Sequence, residues 1–475
     1  MTNPIWRKMR PICVFAVVLG TLVGCAKNTP YGAPAFPFLG AYSGHKSGAP
    51  VLLENTAWWK GFKDPTLNRL VERALRDNLS LAAAKERILE AEANLNAIPG
   101  GVSLDPSLSA QRSRGSGGGT QTRGEAQLAL SWLLDPYGAR REQGKAARAR
   151  IEVADAETDA AQLLVLLNLS TAYIDMRYRQ QVLRIRHQEI RSRQQTLELT
   201  QTLFDRSSAT KLDLVRAEAR LSEAEASLPT ARAAIQRQQY QIAGLLGAVP
   251  GTLDISLEDG VMPHPAMSAN VGIPADILRN RPDVRIAERI YYANVAETRV
   301  AQAQLYPQLS LSGAITLASI ASGSSGAEYV FGPTLTLPAL PNGPRTAELA
   351  AQASRARQAH TSWKATVLDA IREVETAITD YSAAASAVHA SQKTVRLYRE
   401  AADLTRDLVL RDSATLSDLL DAEASITSAE LTLAENQRQQ SLSFINLNVS
   451  LGSGHASARV PKGVSGQKPR FNTTD

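Results

Sequence analysis

Residues that could carry enzyme chemistry are scarce in this chain of 475 residues. The six histidines show no paired ligand spacing such as H-E-x-x-H, so the sequence indicates neither a zinc site nor an acid–base pair. They stand at positions 45, 187, 264, 360, 389 and 455. We therefore expect no catalytic residue and no metal site, and we expect that the protein is not an enzyme.

One glycine-rich stretch approximates a phosphate-binding loop. It has one residue too many between Gly138 and Gly144, and Ala146 stands where the loop needs Ser or Thr. A second glycine cluster, residues 115–119, precedes no predicted helix. Neither stretch predicts nucleotide binding, and we expect no cofactor.

Cys25 is the side chain with the clearest predicted chemistry. Residues 1–24 combine a basic head with a short apolar run and small residues, which is typical of an export signal. The segment Leu22-Val-Gly-Cys25 looks like a bacterial lipobox, so we expect a covalent lipid on Cys25 after cleavage. The alternative is a single transmembrane anchor, for which the apolar run is short.

Cleavage would leave the protein nearly neutral. The signal holds three cations and no acids, so its removal lowers the formal net charge from +6 to +3. We therefore expect no nucleic acid partner. Since Cys13 lies in the signal and Cys25 carries the lipid, no cysteine remains for a disulfide.

Acidic side chains recur in a duplicated stretch. Ser208–Ala219 returns almost unchanged as Ser413–Ala424, at an offset of 413 − 208 = 205 residues. Asp213 and Asp418 are equivalent in the two copies and fit the signature of a helix N-terminus. Asp421, by contrast, is equivalent to Arg216, so the copies differ in charge there.

Long helices must lead into these stretches. Heptad positions on the two approach helices share the offset of 205, and a sustained seven-residue period indicates helices that supercoil with neighbours. They are Leu169, Met176, Leu183, Ile190, Leu197 and Phe204, and then Val374, Tyr381, Val388, Val395, Ala402 and Val409. Ala139 to Arg206 holds 68 residues without proline, which is roughly 100 Å of helix. A coiled-coil rod remains the alternative.

Two β-hairpins precede the long helices. Each has a turn of Gly and Ser between strand-like segments, at about 102–136 and 307–341. Four strands cannot close a barrel, and an open sheet cannot sit in lipid with bare edges. Several chains must therefore contribute strands.

The resulting domain prediction is a tandem repeat. The first repeat, 58–272, holds a helix, a β-hairpin, a helical hairpin at about 139–247 and a connector; the second, 273–452, ends in a helical hairpin at about 344–452. The flanking segments are a signal at 1–24, an extended tether at 25–57 and a mobile tail at 453–475.

Together with the lipobox, three motifs resemble those of the TolC family of outer-membrane efflux proteins, in its lipoprotein branch. They are residues 278–288 (Leu-Arg-x-Arg-Pro-Asp-Val-x-x-Ala-Glu), 305–310 (Leu-Tyr-Pro-x-Leu-Ser) and 418–422 (Asp-Leu-Leu-Asp-Ala). The resemblance implies a homotrimer with a twelve-stranded barrel in outer-membrane lipid and a helical tunnel across the periplasm. It also implies a periplasmic adaptor and an inner-membrane pump of the RND type as partners, and export of drugs or other small toxic compounds. Alternatives are a type I secretion channel and an envelope-tethering lipoprotein.

The resemblance also assigns residues. Asp418, Asp421, Asp213 and Arg216 would form the periplasmic gate, with helix capping as the alternative for the first and third. Residues at the tips would contact the adaptor, namely Ser207, Ser208, Asp412 and Ser413. The family usually has a glycine where Ser207 and Asp412 stand, and Val409 and Ala414 replace a Tyr and an Arg that help close some members.

Overall fold

The computed structural model describes residues 57–114, 120–265, 281–320, 325–338, 341–411 and 413–455. Along the chain, a short 3-10 helix, Trp58–Phe62, is followed by α1 Pro65–Asp77 and α2 Leu79–Asn96. The sequence predicts one helix here, running to about Ile98. The structure has a break at Asn78, because its side-chain oxygen accepts from the backbone N–H of Leu81 at 3.0 Å and so caps α2.

Two hairpins contain the longest helices that the structure describes. The first hairpin consists of α3 Ala139–Asp205, α4 Lys211–Ala226 and α5 Leu228–Leu245. After α6, Pro282–Ala303, the second hairpin consists of α7 Gly343–Leu410 and α8 Leu416–Ser450. All six predicted heptad positions of α7 are buried, which confirms the coiled-coil period.

The two return arms differ in continuity. The first spans residues 211–245 and the second 416–450, so both ends keep the offset of 205. Ser227 alone stands between α4 and α5, and Pro229 is the second residue of α5, whereas α8 is one unbroken helix of 35 residues. Proline lacks an N–H and clashes with the preceding turn, which explains the break.

The chain divides into two compact units. The first contains Ala97–Ala146 and Asn294–Ala356, and it holds all four strands. These are β1 Val102–Arg114, β2 Thr120–Leu134, β3 Gln308–Ile320 and β4 Ser325–Thr336. They form one antiparallel sheet in the order β1-β2-β3-β4, so the hairpins of the two repeats pair side by side.

The strand register gives the sheet one apolar and one polar face. One row of register partners crosses all four strands on the apolar face; it consists of Leu104, Leu130, Gly313 and Phe331. The Phe331 ring covers Gly313 so closely that a Cβ there would clash. The polar face carries the row of Ser107, Gln127, Thr316 and Glu328. This is the alternation expected of a strand with lipid on one side.

The second unit contains Phe38–Asn96, Ala147–Ala293 and Arg357–Asp475. Its core joins the 3-10 helix and α1 to the middle of α3, α7 and the end of α8. Phe444 contacts Phe62 edge-to-face at a ring distance of 5.2 Å. Among the helices that the structure describes, none combines the length and apolar composition that crossing a bilayer requires.

Arg281, from the Arg-Pro-Asp-Val motif, fastens the start of α6 within this unit. Its buried guanidinium contacts both carboxylate oxygens of Asp283 and one of Glu373, and it donates to the carbonyl of Ser450 at 2.6 Å. The motif therefore joins α6 to both arms of the second hairpin, because guanidinium groups bind carboxylates in two-pronged geometry.

Candidate functional site: the hairpin tips

The two hairpin tips share the same local chemistry. At the first tip, the Thr210 hydroxyl accepts from the backbone N–H of Asp213 at 3.2 Å, and the Asp213 carboxylate accepts from the backbone N–H of Thr210 at 3.0 Å. Thr415 and Asp418 repeat this capping box at the second tip, with distances of 3.2 and 2.9 Å. The duplicated motif therefore starts α4 and α8.

Capping also lowers the pKa of these acids. The Thr210 hydroxyl and then its backbone N–H hold the pKa of the Asp213 carboxyl below its ordinary value. Thr415 does the same for the pKa of the exposed Asp418. Both carboxylates therefore stay charged at neutral pH. Helix capping accounts for this geometry, and their part in a gate stays a prediction.

Ser207 has a left-handed backbone at the end of the first approach helix, with φ of 62°. The backbone N–H of Ser208 donates to the carbonyl of Leu203 at 2.8 Å, which closes the last turn. Ser413 makes the equivalent bond to Leu408 at 2.8 Å. This is the conformation that favours glycine, which explains why glycine is usual at this place in the family resembled.

The other predicted site residues lie on the surface. Asp421 and Arg216 are exposed on α8 and α4, as are Ser208 and Ser413 at the tips. Cys25 and Asp412 lie outside the described residues.

A small apolar cluster closes the second tip. Val409, Leu416 and Leu419 pack together, with Leu199 of α3 and Ala414 against them. Val409 is buried, so the position where some family members carry a tyrosine contributes to packing in this chain.

Sequence reasoning missed a buried carboxylate next to the second tip. Glu423 is only 4% exposed, and polar groups of α3 and α7 surround it. The one available signal was its place seven residues after Leu416, at an inward-facing heptad position. A charged residue in such a position needs partners, and those partners lie in other helices.

Comparison with known proteins decides the family. Residues 70–248 and 273–453 match the family model described as outer membrane efflux protein. The chain belongs to the outer membrane efflux protein family. The two matched ranges lie one in each half of the chain, and the resemblance to TolC-type channels is confirmed.

Relatives in this family cover nearly the whole chain. Nodulation protein T of Rhizobium leguminosarum bv. viciae is 33% identical over 452 residues, which cover 94% of each chain. Outer membrane protein OprJ of Pseudomonas aeruginosa is 26% identical over 462 residues, 91% of this chain and 94% of the relative. The structure of the outer-membrane channel OprN superimposes with a TM-score of 0.81 at 28% identity, covering 90% of this chain and 99% of the other.

These findings establish the class of the protein. As an outer membrane efflux protein, it is the outer-membrane component of a tripartite efflux system, and it extends into the periplasm. The predicted fold class, long duplicated hairpins with four membrane strands per chain, is confirmed.

Proposed function

We propose that three copies of this chain form one channel, which passively conducts small toxic compounds from an inner-membrane pump to the outside. The observation that carries the proposal is the two-faced sheet. Its apolar face suits lipid, its polar face suits a water-filled lumen, and β1 and β4 leave two edges for neighbours. Three chains with four strands each would close a barrel of twelve.

Purified protein in planar bilayers tests this proposal. We expect ion conductance from a species whose native mass equals three chains, because only a closed barrel removes the strand edges. If the purified protein is a monomer and produces no conductance, the proposed channel is contradicted and the envelope tether is favoured.

The tips are the proposed contact with the partner complex. We propose that Ser207, Ser208, Asp412 and Ser413 meet a periplasmic adaptor that links the channel to an RND-type pump. The exposure of Ser208 and Ser413 supports this contact. Photo-crosslinkers at these two serines should capture the adaptor, whereas a crosslinker at the exposed Thr376, in the middle of α7, should not. If the crosslinker at Thr376 captured the adaptor equally well, the tips would not be the docking site.

The lipid on Cys25 is proposed as the second attachment to the outer membrane. We expect Cys25→Ser to accumulate as an unlipidated precursor, because the thiol is the acceptor of the lipid. Labelling with a radioactive or clickable fatty acid measures this directly, and Cys13→Ser is the matched control. Equal labelling of the Cys25 variant would refute the assignment.

The cargo is not distinguished by the scaffold. Relatives include a pyoverdine export protein of Pseudomonas aeruginosa and a cation efflux protein of Escherichia coli, at 24% identity each. Growth of a deletion strain in the presence of a panel of toxic compounds would identify the substrates. A defect confined to a secreted protein would favour the type I secretion alternative.

A further inference from the structure

The Glu423 carboxylate joins three helices in the second compact unit. One of its oxygens accepts from the hydroxyls of Ser192 and Thr196 on α3, both at 2.8 Å, and from Arg406 of α7 at 3.2 Å. The other oxygen accepts from Arg193 of α3 at 3.1 Å. The carboxylate thus has four donors from side chains, which is what a buried charge requires.

Glu423 is part of a polar series along α8. Every seventh residue of one heptad position reads Leu416, Glu423, Glu430, Gln437 and Phe444. The two apolar ends lie in the tip cluster and in the main core. Polar side chains at such positions select one register and cost stability. Buried polar contacts therefore add to the apolar packing that holds the tip half of α8.

The polar contacts of this series reach both neighbouring arms. Arg399 of α7 donates to Glu430 at 3.1 Å, and Gln181 of α3 donates to Gln437 at 3.1 Å. Arg399 and Arg406 are also seven residues apart, so they lie on one stripe of α7. Of the three polar residues in the series, only Glu423 contacts an arginine from each hairpin.

The duplication did not preserve this cluster in the first hairpin. The residue equivalent to Glu423 is Glu218, at 423 − 205, and it is exposed on α4. The residue equivalent to Arg193 is Tyr398, at 193 + 205. The buried carboxylate is therefore a feature of the second return arm, not of the repeat.

We propose that Glu423 is the latch that holds the second hairpin against the first in the resting channel. This inference rests on the proposed channel function. Val409 and Ala414 supply only apolar packing at the tip, so the charged restraint lies farther along α8, at Glu423. Opening then requires that Glu423 leave Arg193 together with the two α3 hydroxyls.

The held state of the latch is favoured because both charges have more partners there. While all donors are in place, three groups of α3 and Arg406 compensate the Glu423 carboxylate. Once the α3 donors separate from it, Glu423 keeps Arg406 of its own hairpin, and Arg193 keeps Glu189 of its own helix at 3.9 Å.

The test uses Glu423→Gln, which keeps the shape of the side chain and removes its charge. We expect roughly tenfold higher resting open probability in planar bilayers, a factor within the ordinary range of coupling between sites. Glu218→Gln, the equivalent substitution on the exposed position, should leave conductance unchanged. Amide exchange of residues 416–430 should become faster in the first variant only.

The possible outcomes distinguish a failure of the proposed latch from a failure of the proposed channel function. If the unmodified trimer conducts and Glu423→Gln changes neither conductance nor exchange, the latch is wrong and the channel stands. If the unmodified trimer does not conduct, the proposed function is wrong and the latch with it. Ser192→Ala, at a partly buried position of α3, removes one of the donors that the first hairpin gives to Glu423 with little risk to folding, and an unchanged resting conductance there also overturns the latch.

Discussion

Ser207 has a left-handed backbone conformation, which glycine adopts more readily than serine. A left-handed conformation costs a non-glycine residue about 1–2 kcal/mol. Glycine avoids this cost, but it loses more conformational entropy on folding, so the net gain in stability from glycine is smaller. The serine therefore lowers the stability of the first tip.

We expect Ser207→Gly to stabilise the first tip by about 0.5–1 kcal/mol and Ser207→Val to destabilise it, because a β-branched side chain tolerates a positive φ poorly. Native-state amide exchange of residues 203–208 measures both changes. Equal exchange in the two variants would mean that the turn is not held in this conformation in solution.

The capping boxes give the tips a defined pH dependence. The pKa of Asp418 is lower in the folded protein than its ordinary value of about 4. The stability that charged Asp418 contributes is therefore fully present at pH values above the ordinary pKa, and it is lost as the pH falls through the lowered pKa. The same holds for Asp213.

We expect Thr415→Ala to weaken the start of α8 by about 1 kcal/mol at neutral pH. The difference from the unmodified protein should shrink in acid, because protonated Asp418 no longer completes the box. Amide exchange at residues 416–420, followed against pH, provides the measurement. Thr405→Ala is the control, because that hydroxyl donates only to the carbonyl of Ala401 within α7. A difference that did not change with pH would contradict the capping account.

At the level of elements, the two return arms have equal length but different continuity. The first arm is interrupted at Ser227, two residues before Pro229, and α8 runs without interruption over the equivalent residues. The first tip is therefore followed by α4, a helix of only 16 residues, and the chain is interrupted before α5 begins.

We expect Pro229→Ala to fuse α4 and α5, because alanine restores a backbone donor and removes the clash with the preceding turn. The gain should be about 1–3 kcal/mol and should appear as slower amide exchange at residues 225–231. Thr230→Ala keeps the proline and should leave exchange there nearly unchanged. If Pro229→Ala has no effect, tertiary contacts and not the proline cause the break.

For the whole molecule, we propose that the acids of the second tip gain a further role through assembly. One chain presents Asp418 and Asp421 on the exposed side of α8. Three chains would place up to six such carboxylates around the periplasmic opening, and acidic rings of this kind favour cations.

We expect Asp418→Ala combined with Asp421→Ala to weaken cation selectivity, measured as the reversal potential in a salt gradient. We propose that Arg216 pairs with an acid of the neighbouring tip in the closed state, and such an exposed pair is worth about 0.2–1 kcal/mol in each subunit. Arg216→Ala should therefore raise resting conductance. Thr415→Ala separates the two roles of Asp418, since it removes the cap and keeps the charge. Unchanged selectivity in the double variant would place the constriction elsewhere.

The sequence by itself determined the repeat, the long helices and the tips. Heptad periodicity and capping chemistry are local properties, so the register of α7 and the boxes at Thr210 and Thr415 could be predicted from neighbouring residues. The break at Asn78 was missed, although it is also local, because the apolar spacing continues on both sides of it.

Only the tertiary structure decided which acidic side chains near the second tip are buried, and by which partners. Sequence reasoning selected Asp421, which is exposed, and missed Glu423, two residues further along, which is buried. The partners that bury Glu423 on α3 lie 227 to 231 residues away in the chain. No local pattern records such a contact, because burial depends on which helix covers the position. Likewise, only the register showed that strands of both repeats put their polar residues on one face of a single sheet.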